Sequence, residues 1–139
     1  MAYFADDMLL PAADRDTQAF WDACNEHRLV IQRCARCGTY RHLPRPVCHA
    51  CTSFEWEWGE SSGLGEIFSY IVVPHGVHPA TLDAVPYNAV IVRLSDCGEV
   101  KLTSNLINCV NEDIRIGMPV RLAWEEAGDG VTLPRFEPA

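Results

Sequence analysis

Cys34, Cys37, Cys48 and Cys51 stand as two C-x-x-C pairs separated by ten residues, and no other feature of this 139-residue chain constrains its folding as tightly. Four thiolates at that spacing supply a complete tetrahedral set for one metal ion, leaving no open position for water or substrate. A closed centre of this kind folds a module instead of catalysing, because the metal replaces a core that so few residues cannot build. Zinc in a structural role is the expected ion. Iron is the alternative, since the same sulfurs make a rubredoxin-like site. His42 and His49 lie close to the ligands, but four cysteines already complete the set.

The other cysteines do not alter that reading. Seven is an odd number, and nothing points to an oxidising compartment, so a disulfide framework is a poor explanation. Cys24, Cys97 and Cys109 read as small apolar residues. A thioredoxin-like redox role requires a C-x-x-C at a helix start in an α/β setting, which neither pair has. The opening residues carry Asp6 and Asp7 where a secretory signal carries bases, and the longest apolar run, Ile67 to Val73, is interrupted by Ser69 and Tyr70. The expectation is a cytoplasmic protein without a membrane span.

Around the quartet the pattern changes by segment. Residues 1 to 13 form an arm without clear period. From Asp14 to about His27, Phe20, Trp21 and Cys24 recur at helical spacing, with Asp14 or Asp16 as the cap. The adjacent aromatics Phe20 and Trp21 either pack on the following modules or anchor another protein, and the short chain before them favours the second. Leu29 to Arg33 reads as a strand entering the first cysteine pair, where Gly38 permits the positive φ of a metal knuckle. Phe54 to Trp58 alternates aromatic with acidic residues, the period of a half-buried strand.

Gly59 to Gly65 marks a boundary rich in Gly and Ser. Beyond it lie five strand candidates, Glu66 to Val73, Tyr87 to Leu94, Val100 to Leu106, Met118 to Trp124 and Val131 to Phe136, which suit a small closed barrel. The long connection from Pro74 to Pro86 carries His75 and His78. A free-standing enzyme using those histidines has little support, because no nucleophile motif, phosphate loop or open metal site accompanies them.

Charge separates the remaining function classes. The net charge is −8, and from Gly63 onward five Lys or Arg face ten acids, which argues against a nucleic-acid groove on the barrel. The basic residues gather instead at Arg28, Arg33, Arg36, Arg41 and Arg45, a stretch without a single acid. Arg33, Arg36, Arg41 and Arg45 suit bidentate contacts to phosphates or to an acidic partner surface, or form a solvated basic loop.

The order of these parts carries a resemblance. An aromatic helix, Leu-Val-Ile-Gln-Arg-Cys-x-x-Cys-Gly, Pro-Arg-Pro-x-Cys-x-x-Cys, an acidic-aromatic strand, Gly63-x-Gly65-x-Ile67-x-Ser69, Ile116-Gly117-Met118-Pro119-Val120 and Leu133-Pro134-Arg135-Phe136 follow one another over about residues 14 to 138. The chain thereby resembles the two-module proteins formerly called domain of unknown function thirty-five. That resemblance implies a mainly β chain: an N-terminal arm and amphipathic helix over 1–28, a rubredoxin-like zinc ribbon over 29–60, and a five-stranded OB-fold barrel over 61–139. It also implies a non-catalytic accessory subunit that complexes with a thiolase-like acyltransferase or aldolase, with acyl-CoA at the interface. An acyl-CoA hydratase complex and an OB-fold nucleic-acid module are the alternatives.

Overall fold

The computed structural model describes residues 2–139. The helix is shorter than its period suggests. α1 runs Gln18–Asn25, and the residues before it form a turn in which Asp14 Oδ1 accepts from the backbone N–H of Asp16 and Thr17. Asp14 thus ties the approach to the helix by an Asx-type contact, which competes with helical hydrogen bonding at those positions.

Three antiparallel strands follow around the cysteines. β1 (Val30–Cys34) lies between β2 (Tyr40–Arg41) and β3 (Trp56–Glu60), with Gln32 opposite both Arg41 and Trp58. Burial of Leu29, Val30 and Ile31 on and before the central strand explains their apolar run. β3 starts two residues later than the aromatic alternation suggests, because Phe54 stands exposed before the pairing begins.

The second sheet contains β4 (Leu64–Val73), β5 (Tyr87–Leu94), β6 (Lys101–Ser104), β7 (Pro119–Gly128) and β8 (Val131–Pro138), in the antiparallel order β6-β5-β4-β7-β8. β4 is shared: its first residues, Leu64 to Glu66, pair with β7 on one side, while β5 runs along its other side with a bulge between Ile67 and Ser69. A bulge sharpens the bend of a strand, and here it curls the sheet. Past β6 the chain reaches β8 through a parallel bridge from Leu106 to Phe136, and Ile107 N–H donates to the Phe136 carbonyl at 2.8 Å. The result is a curled five-strand half-barrel.

Gly65 sits where three strands meet. A Cβ there would lie 2.4 Å from the Arg93 carbonyl oxygen and 2.9 Å from Val92 Cγ1, so the close approach of β4 to β5 requires glycine.

One apolar cluster serves both sheets. Phe20 and Cys24 from α1 and Leu29 and Ile31 from the first sheet pack with Ile67, Val90, Val92, Leu106 and Phe136 of the second. α1 is further held by Asn25, whose Oδ1 accepts from Thr132 N–H at 2.9 Å, and by His27 stacked on Trp124 with centroids 5.5 Å apart. Only residues 61–63 separate β3 from β4. The long connection is ordered by a 3₁₀ turn, Pro79–Thr81, where His78 Nδ1 accepts from Ala80 N–H at 3.1 Å.

Candidate metal centre

The turn after β1 and the turn after Pro46 face each other. Their four Sγ atoms, on Cys34, Cys37, Cys48 and Cys51, lie within 4.8 Å of one another. Cys34 and Cys51 sulfurs are 3.6 Å apart, and those of Cys37 and Cys48 are 3.7 Å apart. A tetrahedral ion with bonds of about 2.3 Å to sulfur sets its ligands about 3.8 Å apart, so the donor set fits one such ion. Both turns aim backbone N–H groups at sulfur: Cys37 N–H donates to Cys34 Sγ and Ala50 N–H to Cys48 Sγ, each at 3.4 Å. These bonds stabilise thiolate charge and orient the ligands.

The sulfurs differ in their surroundings. Cys34 and Cys48 are buried at 1% exposure, whereas Cys37 is on the surface. The Thr39 hydroxyl, 3.1 Å from Cys37 Sγ, holds that thiol down to about 6. The ionised sulfur is the form that binds metal, so this contact favours the ligand state of Cys37. Gly38 follows at φ +78°, and its carbonyl accepts from Arg33 Nε at 3.2 Å.

The residues marked for a partner or CoA do not form one surface. Phe20 is 3% exposed within the core, so its ring has no face left for another protein; the expectation of an interface anchor there is corrected by the depth to which α1 sinks against the second sheet. Trp21 is half-buried at the rim of the same cluster, in an edge contact with Phe20 at 5.0 Å. Arg33 pairs with Glu57 at 3.0 Å and lies over the Tyr40 ring. Arg36 and Arg45 are exposed. Arg41 is 4% exposed and wrapped by its own loop, donating through Nε and Nη2 to the Arg45 carbonyl at 3.3 and 2.8 Å, while Arg45 N–H donates to buried Gln32. His42 is half-buried against the Phe20 ring, with centroids 5.0 Å apart, and desolvation lowers its pKa to about 4, leaving it neutral. Sequence reasoning missed Thr39 as the hydroxyl partner of a ligand; two residues past a C-x-x-C-Gly, no spacing rule marks it.

A four-cysteine ribbon ahead of a curled five-strand sheet defines a zinc-ribbon and OB-fold protein, and the comparisons with known proteins agree. Residues 21–57 match the family model of the ChsH2 rubredoxin-like zinc ribbon domain, and residues 58–125 match that of the ChsH2 C-terminal OB-fold domain. A DUF35 domain-containing scaffold protein of Methanocaldococcus jannaschii is 32% identical over 111 residues, covering 74% of each chain. The chain belongs to the DUF35 family.

Two further relatives are more similar. A chain in the solved structure described as the Ltp2-ChsH2(DUF35) aldolase superposes with a TM-score of 0.84 at 44% identity, covering 93% of this chain and 98% of that one. A probable enoyl-CoA hydratase alpha subunit of Thermomonospora curvata is 45% identical over 129 residues, which are 93% of this chain and 39% of that protein. The chain therefore spans about two fifths of the length of that hydratase subunit. No helix among the described residues is long and apolar enough to cross a membrane.

Proposed function

We propose that this chain is a non-catalytic, zinc-holding accessory subunit that docks on the catalytic subunit of an aldolase or thiolase-like enzyme acting on acyl-CoA thioesters in the cytoplasm. The observation that carries the reading is the match, at 44% identity and 98% coverage, to a whole chain of an Ltp2-ChsH2(DUF35) aldolase. The site chemistry agrees with it. Four thiolates fill a tetrahedral ion's sphere, so Cys34, Cys37, Cys48 and Cys51 would hold zinc as a fold element, and the reacting groups belong to the partner. His78, one of the two histidines of the long connection, is engaged as the cap of a 3₁₀ turn.

Docking in a hydratase complex is the second reading, favoured by the identity to a protein named as a hydratase alpha subunit. A nucleic-acid role is disfavoured by the excess of acids over bases on the second sheet's sequence.

Affinity purification of this chain from its native cells in mild salt, with metal analysis of the same sample, tests the reading. A stoichiometric aldolase or thiolase-like protein is expected with one zinc per chain. A hydratase in its place selects the second reading. A chain that elutes alone refutes both, and a red, iron-bearing sample replaces zinc by iron.

A further inference from the structure

Beyond Ile67 one edge of β4 is unpaired. β7 pairs with Leu64 to Glu66, and the turn before β7 reaches one residue further: Ile67 N–H donates to the Met118 carbonyl at 3.1 Å, and Gly117 N–H donates to the Ile67 carbonyl at 2.8 Å. From Ser69 to Val73 the strand runs in unbroken register with β5, Ser69 opposite Ile91 and Val73 opposite Tyr87. Among the described residues no strand takes up its second edge. Alternate residues of an edge strand aim their N–H and C=O groups outward, so this run presents a row of backbone groups that another strand would satisfy.

Such edges are ordinarily blunted by charge, proline or brevity. The other strands at the margins follow that rule: β3 carries Glu57 and Glu60, β7 carries Glu125 and Glu126, β6 opens on Lys101, and β2 is two residues long. Phe68 to Val73, Phe-Ser-Tyr-Ile-Val-Val, has neither charge nor proline. The bulge of β4 precedes this run instead of interrupting it. Ile71 is 61% exposed, and it borders a groove of about 160 Å³ that Ala89, Ile91 and Thr103 continue without a charge across the outer face of the sheet.

We propose that this edge is a self-association site, where β4 of one copy pairs antiparallel with β4 of a second copy and joins two half-barrels into one continuous sheet. Charge selects the second copy. A two-fold axis sets each residue near its own equivalent, so such a contact forms only where the patch tolerates itself. The chain carries a net charge of −8, and pairing β3 or β7 with its own copy would bring glutamates against glutamates. The β4 edge avoids that. Pairing centred on Ile71 places Ser69 opposite Val73 of the second copy and Tyr70 opposite its Val72, while the nearest acid, Glu66, lies beyond the paired run and is held by Arg93. The paired run is short, below the roughly 800 Å² per partner of a standard interface, so the dimer is reversible, with a dissociation constant on the order of 100 µM. It needs no enzyme and stands apart from the accessory-subunit reading.

Sedimentation equilibrium of the full-length, zinc-loaded chain between about 10 µM and about 1 mM, a range that brackets this constant, is the test. The weight-average mass is expected to rise with concentration from the monomer's 15.5 kDa towards twice that value. In hydrogen exchange the amides of residues 69–73 gain protection as concentration rises, while those of β3 do not. Ile71→Lys sets two like charges at the axis and weakens association by about tenfold or more. Phe54→Lys, at a comparably exposed position on the ribbon, leaves it unchanged. The site is overturned if the mass stays that of the monomer throughout, if Ile71→Lys with parental melting associates like the parent, or if Phe54→Lys is the variant that dissociates. Exchange at residues 69–73 that does not depend on concentration overturns it as well, whether or not Ile71→Lys folds. Protection of these amides only on adding a catalytic partner gives the edge to that enzyme and removes the self-association. Self-association of a chain that captures no enzyme keeps this site and refutes the accessory role.

Discussion

The Ser61 hydroxyl donates to Asp96 Oδ1 at 2.7 Å, and the neighbouring Ser62 N–H donates to Asp96 Oδ2, also at 2.7 Å. One carboxylate in the β5–β6 connection thus clasps the step between β3 and β4, where the chain passes from the first sheet to the second. Asp96 also lies two residues before Gly98, which lines the open cleft shared by the ribbon and the β5–β6 connection.

Burial alone would raise the Asp96 pKa, but the Ser62 N–H and the Ser61 hydroxyl outweigh it and hold the carboxyl below its ordinary value. A folded pKa below the unfolded value, about 3.9 for Asp, means that the contribution is complete above that value and is lost as pH falls through the folded one. Asp96→Asn should therefore cost about 1 kcal/mol near neutral pH, modest because the group is exposed. In urea unfolding the gap between parent and variant should shrink progressively as pH falls below the unfolded value of about 3.9. A gap that stays constant across that range would refute the assignment.

Metal removal should unfold more than the ribbon. Structural zinc is worth on the order of 10 kcal/mol at neutral pH, comparable to the whole stability of a typical domain. Leu29 and Ile31 of the ribbon sheet sit in the same cluster as Ile67, Val90 and Phe136, so a ribbon that melts uncovers the second sheet's interior. Chelation, or Cys48→Ser, is expected to abolish hydrogen-exchange protection in β5 together with that in β1. Protection retained in β5 of the metal-free chain would show that the half-barrel stands alone.

Gly65 and Gly98 provide a matched pair. Gly65→Ala drives a methyl into the Arg93 backbone, which cannot step aside, and should cost roughly 2–3 kcal/mol or more. Gly98 has φ +63° with nothing within 4 Å of the added Cβ, so Gly98→Ala should cost only the left-handed penalty of about 1 kcal/mol. Denaturant midpoints of the two variants rank them; equal midpoints would refute the crowding argument at Gly65.

These variants mark what was legible in the chain and what was not. The cysteine spacing is local, and two C-x-x-C turns can converge only by folding onto one ion, so that set is readable from spacing alone. Strand alternation is equally local: β5 alternates inward Asn88, Val90, Val92 and Leu94 with outward neighbours, and its limits coincide with the expected Tyr87 to Leu94. Tertiary depth is not local. Phe20 and Trp21 are neighbours of the same aromatic type, and only the placement of α1 against the core decides that the first is enclosed and the second sits at the rim. Arg41 likewise shares a basic run with Arg36 and Arg45, yet it alone of the three points inward, because β2 pairs it with the central strand opposite buried Gln32. Lys101 and Gly98 join Arg41 across about sixty residues of sequence, a juxtaposition that no spacing rule reports.

The two aromatics of α1 therefore separate folding from docking. Phe20→Ala removes a ring from the shared core and should cost about 3–5 kcal/mol, enough to compromise the fold, so a loss of partner binding in that variant says nothing about contact. Trp21 is only partly buried, and the same truncation should cost about 1–2 kcal/mol, a fraction of the fully buried penalty. Aromatics that straddle a rim concentrate binding energy when a partner completes their enclosure. In co-purification with the catalytic subunit, Trp21→Ala should retain a folded, zinc-loaded chain and recover less partner than the parent. A Trp21→Ala chain with parental melting and undiminished partner recovery would remove α1 from the docking surface and shift attention to the exposed Leu43, Phe54 and Arg36 on the ribbon.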